Sequence, residues 1–153
     1  MSRVQLALNV TDIGEAVAFY SKVFETEPAK VREGYANFVI ADPPLKLVLI
    51  ENDSGQRLNH LGIEVDTTDE VATATQRFEA VGLGTEIEER TTCCYAVQDK
   101  VWIRDPDDAR WEVYTVLADS AEFGSSPPDG GDVCCAASPA STSVPLTAAP
   151  DRI

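Results

Sequence analysis

Gln5-Leu6-Ala7-Leu8-Asn9-Val10 and His60-Leu61-Gly62-Ile63-Glu64-Val65 decide the fold of this 153-residue chain. Both open on a polar side chain and then alternate, the period-2 pattern of a strand with two unlike faces. A helical stripe follows each. Asp12 is placed to cap a helix from about Ile13 to Phe24, with Ile13, Val17, Tyr20 and Phe24 along one side. The second helix runs from Thr68 or Asp69 to Val81, with Val71, Thr75, Phe78 and Val81 in line and Gly82 ending it. Three strand-like stretches then follow each helix, at residues 27–31, 35–41 and 45–51 and again at 85–91, 95–104 and 110–117. The result is two βαβββ modules, about 1–55 and 56–118. Neither can close a core alone, so the reading is an α+β fold in which both contribute to one curved mixed sheet.

Residues 119–153 change character, with Pro127-Pro128, Gly130-Gly131, Pro139, Pro145 and Pro150 among Ala, Ser and Thr. They read as a flexible tail, leaving one domain over residues 1–118. A net charge of −14 argues against nucleic acid, whose phosphates call for Lys and Arg, and against anionic membrane surfaces. No apolar run is long enough to span a bilayer. Met1-Ser2-Arg3-Val4-Gln5 enters patterned sequence at once, without a secretory signal. The expectation is a cytoplasmic protein with reduced thiols.

The four cysteines form two vicinal pairs, Cys93-Cys94 and Cys134-Cys135, a spacing that suits ligand chemistry better than a disulfide framework. Neighbours on an extended strand point to opposite faces, so Cys93 and Cys94 act together only if the backbone turns there. Two thiols so gathered suit a soft, thiophilic atom. The plainer alternative is two small apolar strand residues, one facing in and one out. In the tail, Cys134 and Cys135 are either a second soft-metal pair or incidental thiols.

Polar residues stand at matching places of the repeat. Gln5 and His60 head the first strands of the two modules, and Glu112 lies in the last strand, within Arg110-Trp111-Glu112-Val113-Tyr114. The position answering to Glu112 in the first module is about Leu47, which is apolar. Three donors and one apolar position describe an open metal site of the facial-triad kind used by non-haem Fe(II) oxygenases. Against this, a lone histidine is often a satisfied structural residue, and Gln5 and Glu112 could face solvent. Lys100 is a candidate charge beside the site, or simply an exposed strand lysine.

The repeat with its polar strand heads resembles the vicinal-oxygen-chelate superfamily of glyoxalases, bleomycin-resistance proteins and extradiol dioxygenases. Val4-Gln5-Leu6-Ala7-Leu8, Gly34-Tyr35-Ala36-Asn37-Phe38, Pro43-Pro44-Leu45-Lys46-Leu47-Val48-Leu49, Leu58-Asn59-His60-Leu61-Gly62, Thr91-Thr92-Cys93-Cys94 and Arg110-Trp111-Glu112-Val113-Tyr114 look closer to one branch. That branch holds the organoarsenical carbon–arsenic lyases and the cadmium-induced proteins CadI. The resemblance implies Fe(II) held by Gln5, His60 and Glu112, with O2 as cosubstrate. It also implies capture of a trivalent organoarsenical by Cys93 and Cys94. The implied activity is a dioxygenase-type lyase that demethylates or dearylates the arsenical to arsenite in metalloid detoxification. Other divalent metals could occupy the same triad, and pairing of sheets between chains in the superfamily is compatible with a homodimer. The rival reading is a non-enzymatic protein that buffers Cd(II) through Cys93, Cys94, Cys134 and Cys135. Other activities of the superfamily do not need a vicinal thiol pair.

Overall fold

The computed structural model describes residues 1–124, and the Cys134-Cys135 pair lies outside the described residues. The first module comprises β1 (Arg3–Val10), α1 (Ile13–Phe24), β2 (Lys30–Arg32), β3 (Tyr35–Ile40) and β4 (Leu45–Glu51). The second comprises β5 (Leu58–Glu64), α2 (Thr68–Ala80), β6 (Glu86–Cys93), β7 (Ala96–Arg104) and β8 (Arg110–Asp119). All eight strands form a single curled sheet in the order β2-β3-β4-β1-β5-β8-β7-β6. Within each module the first strand pairs parallel to the last, β1 with β4 and β5 with β8. The modules join through the antiparallel β1–β5 pair, which sets Gln5 opposite Gly62 and Ala7 opposite His60.

Helix α1 starts where Asp12 accepts from the Glu15 amide, and α2 starts in a capping box between Thr67 and Glu70. Both helices cover the convex face. Ile13, Val17, Tyr20 and Phe24 pack on Phe38, Leu47 and Leu49, while Val71, Ala74 and Phe78 pack on Val101 and Val113. Burying a side chain such as Phe38 or Leu47 stabilises the fold by about 1.5–3 kcal/mol. Val81 does not join this stripe: it is the C-cap, 70% exposed, and Ala74 takes a buried place in the row instead. The strict alternation then sends the other side of every strand into the concave face.

Several details differ from the sequence reading. Strand β2 begins at Lys30 rather than residue 27, because Pro28 has no amide to give a ladder. Strand β8 continues to Asp119 rather than ending at residue 117. Residues past it turn back over the sheet, where the Phe123 ring meets Tyr35 and Tyr95 with centroids 6.0 and 5.5 Å apart. Finally, Leu47 faces α1; the concave residue of β4 opposite Ala7 is Val48. Val48 therefore answers to Glu112, which stands beside Gly62 on β8, and the position is still apolar.

Candidate active site

Gln5, His60 and Glu112 come from three adjacent strands of the sheet centre, β1, β5 and β8, and all are buried. Gln5 Nε2 lies 2.7 Å from Glu112 Oε1 and 3.1 Å from His60 Nε2, and His60 Nε2 lies 3.2 Å from Glu112 Oε1. Donors bound to one octahedral cation at about 2.1 Å are themselves about 3 Å apart, so this triangle has the size of one face of such a shell.

The surrounding hydrogen bonds favour ligation. His60 Nδ1 lies 2.7 Å from Asn59 Oδ1, which makes Nδ1 the protonated nitrogen and leaves the Nε2 lone pair facing Glu112. Asn59 is held in turn through its amide on Asn9 Oδ1 at 2.8 Å. Two acceptors, His60 Nε2 and Glu112 Oε1, thus converge on one point, where a positive centre would stabilise both. Here the Gln5 NH2 fills that role. Turning the Gln5 amide over would present Oε1 as the third ligand, and Tyr114 permits the turn. Its hydroxyl now donates to Gln5 Oε1 at 2.5 Å, and a hydroxyl can equally accept from Nε2. The donor set therefore fits a divalent cation. Among the described residues no three His, Cys, Asp or Glu side chains form a metal cluster, so the amide is needed to complete the triad.

Lys100 is not an exposed strand lysine. It is 1% exposed, and Nζ donates to Glu112 Oε2 at 2.7 Å while standing 5.0 Å from the Trp102 ring centroid. Burial pushes the Glu112 carboxyl up, but the Lys100 ammonium beside it opposes this, and the group is held well below the usual carboxylate range. Glu112 is thereby kept ionised, with Oε2 committed to Lys100 and Oε1 turned to the triad.

Gly62 makes this closeness sterically feasible. A Cβ at that position would come within 3.1 Å of Glu112 Cγ and 3.2 Å of Gln5 Nε2. The signal was present in the sequence as a glycine inside an alternating strand, a frequent mark of close approach.

The thiol pair sits at a hairpin. Cys93 pairs with Ala96, and the two residues between them, Cys94 and Tyr95, both have positive φ, 53° and 60°. This is the pattern of a type I′ turn, normally built from Asn and Gly. Left-handed backbone costs a non-glycine residue about 1–2 kcal/mol. Neighbours compensate: Cys94 N donates to Phe123 O at 2.6 Å, and Tyr95 O accepts from Ser120 N at 2.9 Å and Lys30 Nζ at 3.0 Å. The turn brings Cys94 back beside Cys93, with the sulfurs 3.4 Å apart and not bonded to each other. Two sulfurs bound to one soft centre at about 2.3 Å would lie roughly 3.2–3.8 Å apart. Neither cysteine is a free thiol here, so capture of a soft centre starts from the pair after reduction.

Gln5 and Glu112 of the triad line one concave cavity of about 300 Å³ together with Cys93, Cys94, Tyr35 and Gln98, and His60 stands behind them, outside its wall. A larger hollow, about 450 Å³, lies between α2 and β6 on the other side of the sheet. It is mainly apolar and contains neither Gln5, Glu112 nor the cysteines, so the chemistry points to the smaller one.

The chain belongs to the Glyoxalase/Bleomycin resistance protein/Dioxygenase superfamily, whose model matches residues 3–113. Within it the chain is similar to the cadmium-induced protein CadI of Mycobacterium tuberculosis (strain ATCC 25618 / H37Rv), 58% identical over 142 residues, covering 88% of this chain and 93% of the relative. It is also similar to a trivalent organoarsenical cleaving enzyme of Thermomonospora curvata, 57% identical over 122 residues, covering 78% of this chain and 81% of that enzyme. Among solved structures, the Mn(II)-bound glyoxalase from Novosphingobium aromaticivorans matches with a TM-score of 0.57 and 21% identity, over 82% of this chain and 44% of that one. That likeness bears on the fold alone. No described helix is long and apolar enough to cross a membrane.

Proposed function

We propose that this protein is an Fe(II)- and O2-dependent carbon–arsenic lyase that releases arsenite from trivalent organoarsenicals. The observation that carries the reading is a soft-atom trap, Cys93 and Cys94, opening into the same cavity as Gln5 and Glu112 of the Gln–His–Glu triad. Relatives named for cleaving trivalent organoarsenicals support it at 57% and 38% identity.

The residues divide the work. Reduced Cys93 and Cys94 each displace one hydroxyl of an organoarsonous acid, R–As(OH)2. Two As–S bonds form, two As–O bonds break, and two waters leave carrying the thiol protons. Anchoring the arsenic in this way converts a collision into a positioned reaction of the remaining As–C bond. Gln5, His60 and Glu112 would hold the iron, which when bound supplies the activation of O2 for cleaving that bond. Lys100 keeps Glu112 anionic, Asn59 fixes the His60 tautomer, and Tyr114 steadies the Gln5 amide.

Separate substitutions test the division. Cys93→Ser or Cys94→Ser should abolish tight binding of methylarsonous acid while iron binding persists, and Glu112→Ala should do the reverse. Retained turnover in both serine variants, or unchanged iron content in Glu112→Ala, would refute it. Cd(II) buffering is the second reading, and the CadI relative at 58% identity supports it. Cys93 and Cys94 offer Cd(II) only two sulfurs, and among the described residues no cluster of three metal-binding side chains includes them.

A further inference from the structure

Two buried side-chain polar atoms among the described residues have no hydrogen-bond partner, Ser21 Oγ and Gln98 Oε1. Ser21 belongs to helix α1, whereas Gln98 lines the cavity shared by the thiols with Gln5 and Glu112. Gln98 is 5% exposed, so its carbonyl is shielded from bulk solvent. Its orientation follows from a neighbour: Nε2 donates to the Cys93 carbonyl at 3.3 Å, which commits the nitrogen and leaves the oxygen as the unmatched atom. Along β7 the residue is opposite Thr91, diagonal to Cys93 and two positions before Lys100. Alternation puts Gln98 and Lys100 on the same face, so the amide stands between the cysteine turn and the Lys100–Glu112 pair. A buried acceptor in that position costs free energy until a donor reaches it.

The arsenic chemistry identifies which donor reaches it, given the arsenical reading above. An organoarsonous acid loses both hydroxyls in bonding to two thiols and carries no As–OH thereafter. Inorganic arsenite, As(OH)3, forms the same two As–S bonds and releases two waters, but keeps one hydroxyl. We propose that Gln98 Oε1 accepts a hydrogen bond from the hydroxyl that inorganic trivalent arsenic retains when Cys93 and Cys94 bind it. Gln98 is then a specificity residue for the inorganic, product-like form, one that a bound methylarsenical cannot use.

The test needs neither iron nor turnover. Protein reduced with a phosphine, which leaves no competing thiol, is titrated with arsenite and separately with methylarsonous acid, as wild type, Gln98→Met and Gln98→Glu. Gln98→Met should weaken arsenite roughly three- to tenfold, the range of a single hydrogen bond, and change methylarsonous acid less than twofold. Gln98→Glu keeps an acceptor and should recover arsenite binding. Equal loss for both ligands in Gln98→Met would mean that Gln98 only supports the cysteine turn, and would overturn the inference alone, as would no loss for either. Binding of neither ligand by the wild type would overturn the inference and the proposed function together. Should Gln98→Met not fold, infrared difference spectra of the wild type decide. Arsenite should move a glutamine carbonyl stretch to lower frequency where methylarsonous acid does not, and no such difference would overturn the inference.

Discussion

Gly62→Ala is the sharpest perturbation of the proposed metal triad, because it adds one methyl group and removes no donor. The new Cβ would sit 3.1 Å from Glu112 Cγ, 3.2 Å from Gln5 Nε2 and 3.3 Å from Gln5 Cβ, all closer than ordinary contact. Gln5 cannot simply swing away, since Tyr114, His60 and Glu112 hold its amide on three sides. Strands β1 and β8 flank β5, so the methyl pushes the two ligands apart in the plane of the sheet. Overpacking of this kind costs about 1–3 kcal/mol. Restricting the unfolded chain returns about 0.4–1 kcal/mol, leaving a net loss of about 1–2 kcal/mol. Metal affinity should fall further, by about 10–100-fold, as when groups that orient metal ligands are disturbed. Urea unfolding measures the first quantity, and anaerobic Fe(II) titration by calorimetry the second. Unchanged stability together with iron affinity within twofold of the wild type would refute the argument that Gly62 sets the triad's spacing.

Two further outcomes follow from buried charge. Lys100→Met removes the counter-ion of a carboxylate that is 3% exposed, and should destabilise the metal-free protein by about 3–5 kcal/mol in urea unfolding. A loss below about 1 kcal/mol would mean that Glu112 does not depend on Lys100. Burial pushes the Tyr35 hydroxyl up to about 12, above the usual 10.0 of a tyrosine in water. Its folded value is thus raised, so its contribution to stability is complete below about pH 10 and is lost as pH rises from about 10 to 12. About 2–3 kcal/mol should disappear over that interval. Tyr35→Phe should remove Tyr35's share of the slope, and an unchanged slope would contradict the assignment.

Much of the arrangement is legible from local pattern. The β4 boundaries, Leu45 to Glu51, and the α1 boundaries, Ile13 to Phe24, agree between sequence and structure because Gly34, Pro43-Pro44 and Asp12 punctuate them. Gln5, His60 and Glu112 could be singled out because the repeat places polar residues where strands begin or end in apolar surroundings. The one-residue error at Leu47 has a plain cause: strand side chains alternate, and a shift of one changes the face. Register between distant strands is set by the whole sheet, which is why Val48 is found only once β1 and β4 are paired.

The supporting residues were less visible for the same reason. Tyr114 reaches Gln5 across 109 positions of sequence, and the partner of Lys100 depends on the β7–β8 register, so no local motif announces either. Gln98 resembled one more polar residue of an alternating strand until the Cys93 carbonyl claimed its nitrogen. The turn at Cys94-Tyr95 was inferred from what two thiols would need in order to meet, since neither residue is a usual turn former. Phe123 fell beyond the expected domain edge because the segment around it is polar and short.

The central claim is that the cavity brings thiol-bound arsenic and a metal triad into one reaction. Anaerobic, reduced, Fe(II)-loaded protein is incubated with methylarsonous acid, O2 is admitted, and the arsenic is speciated by chromatography with mass detection. Conversion to inorganic arsenite, absent when either iron or O2 is withheld, is the predicted result. Methylarsenic that stays bound and unconverted in the presence of both would contradict the account.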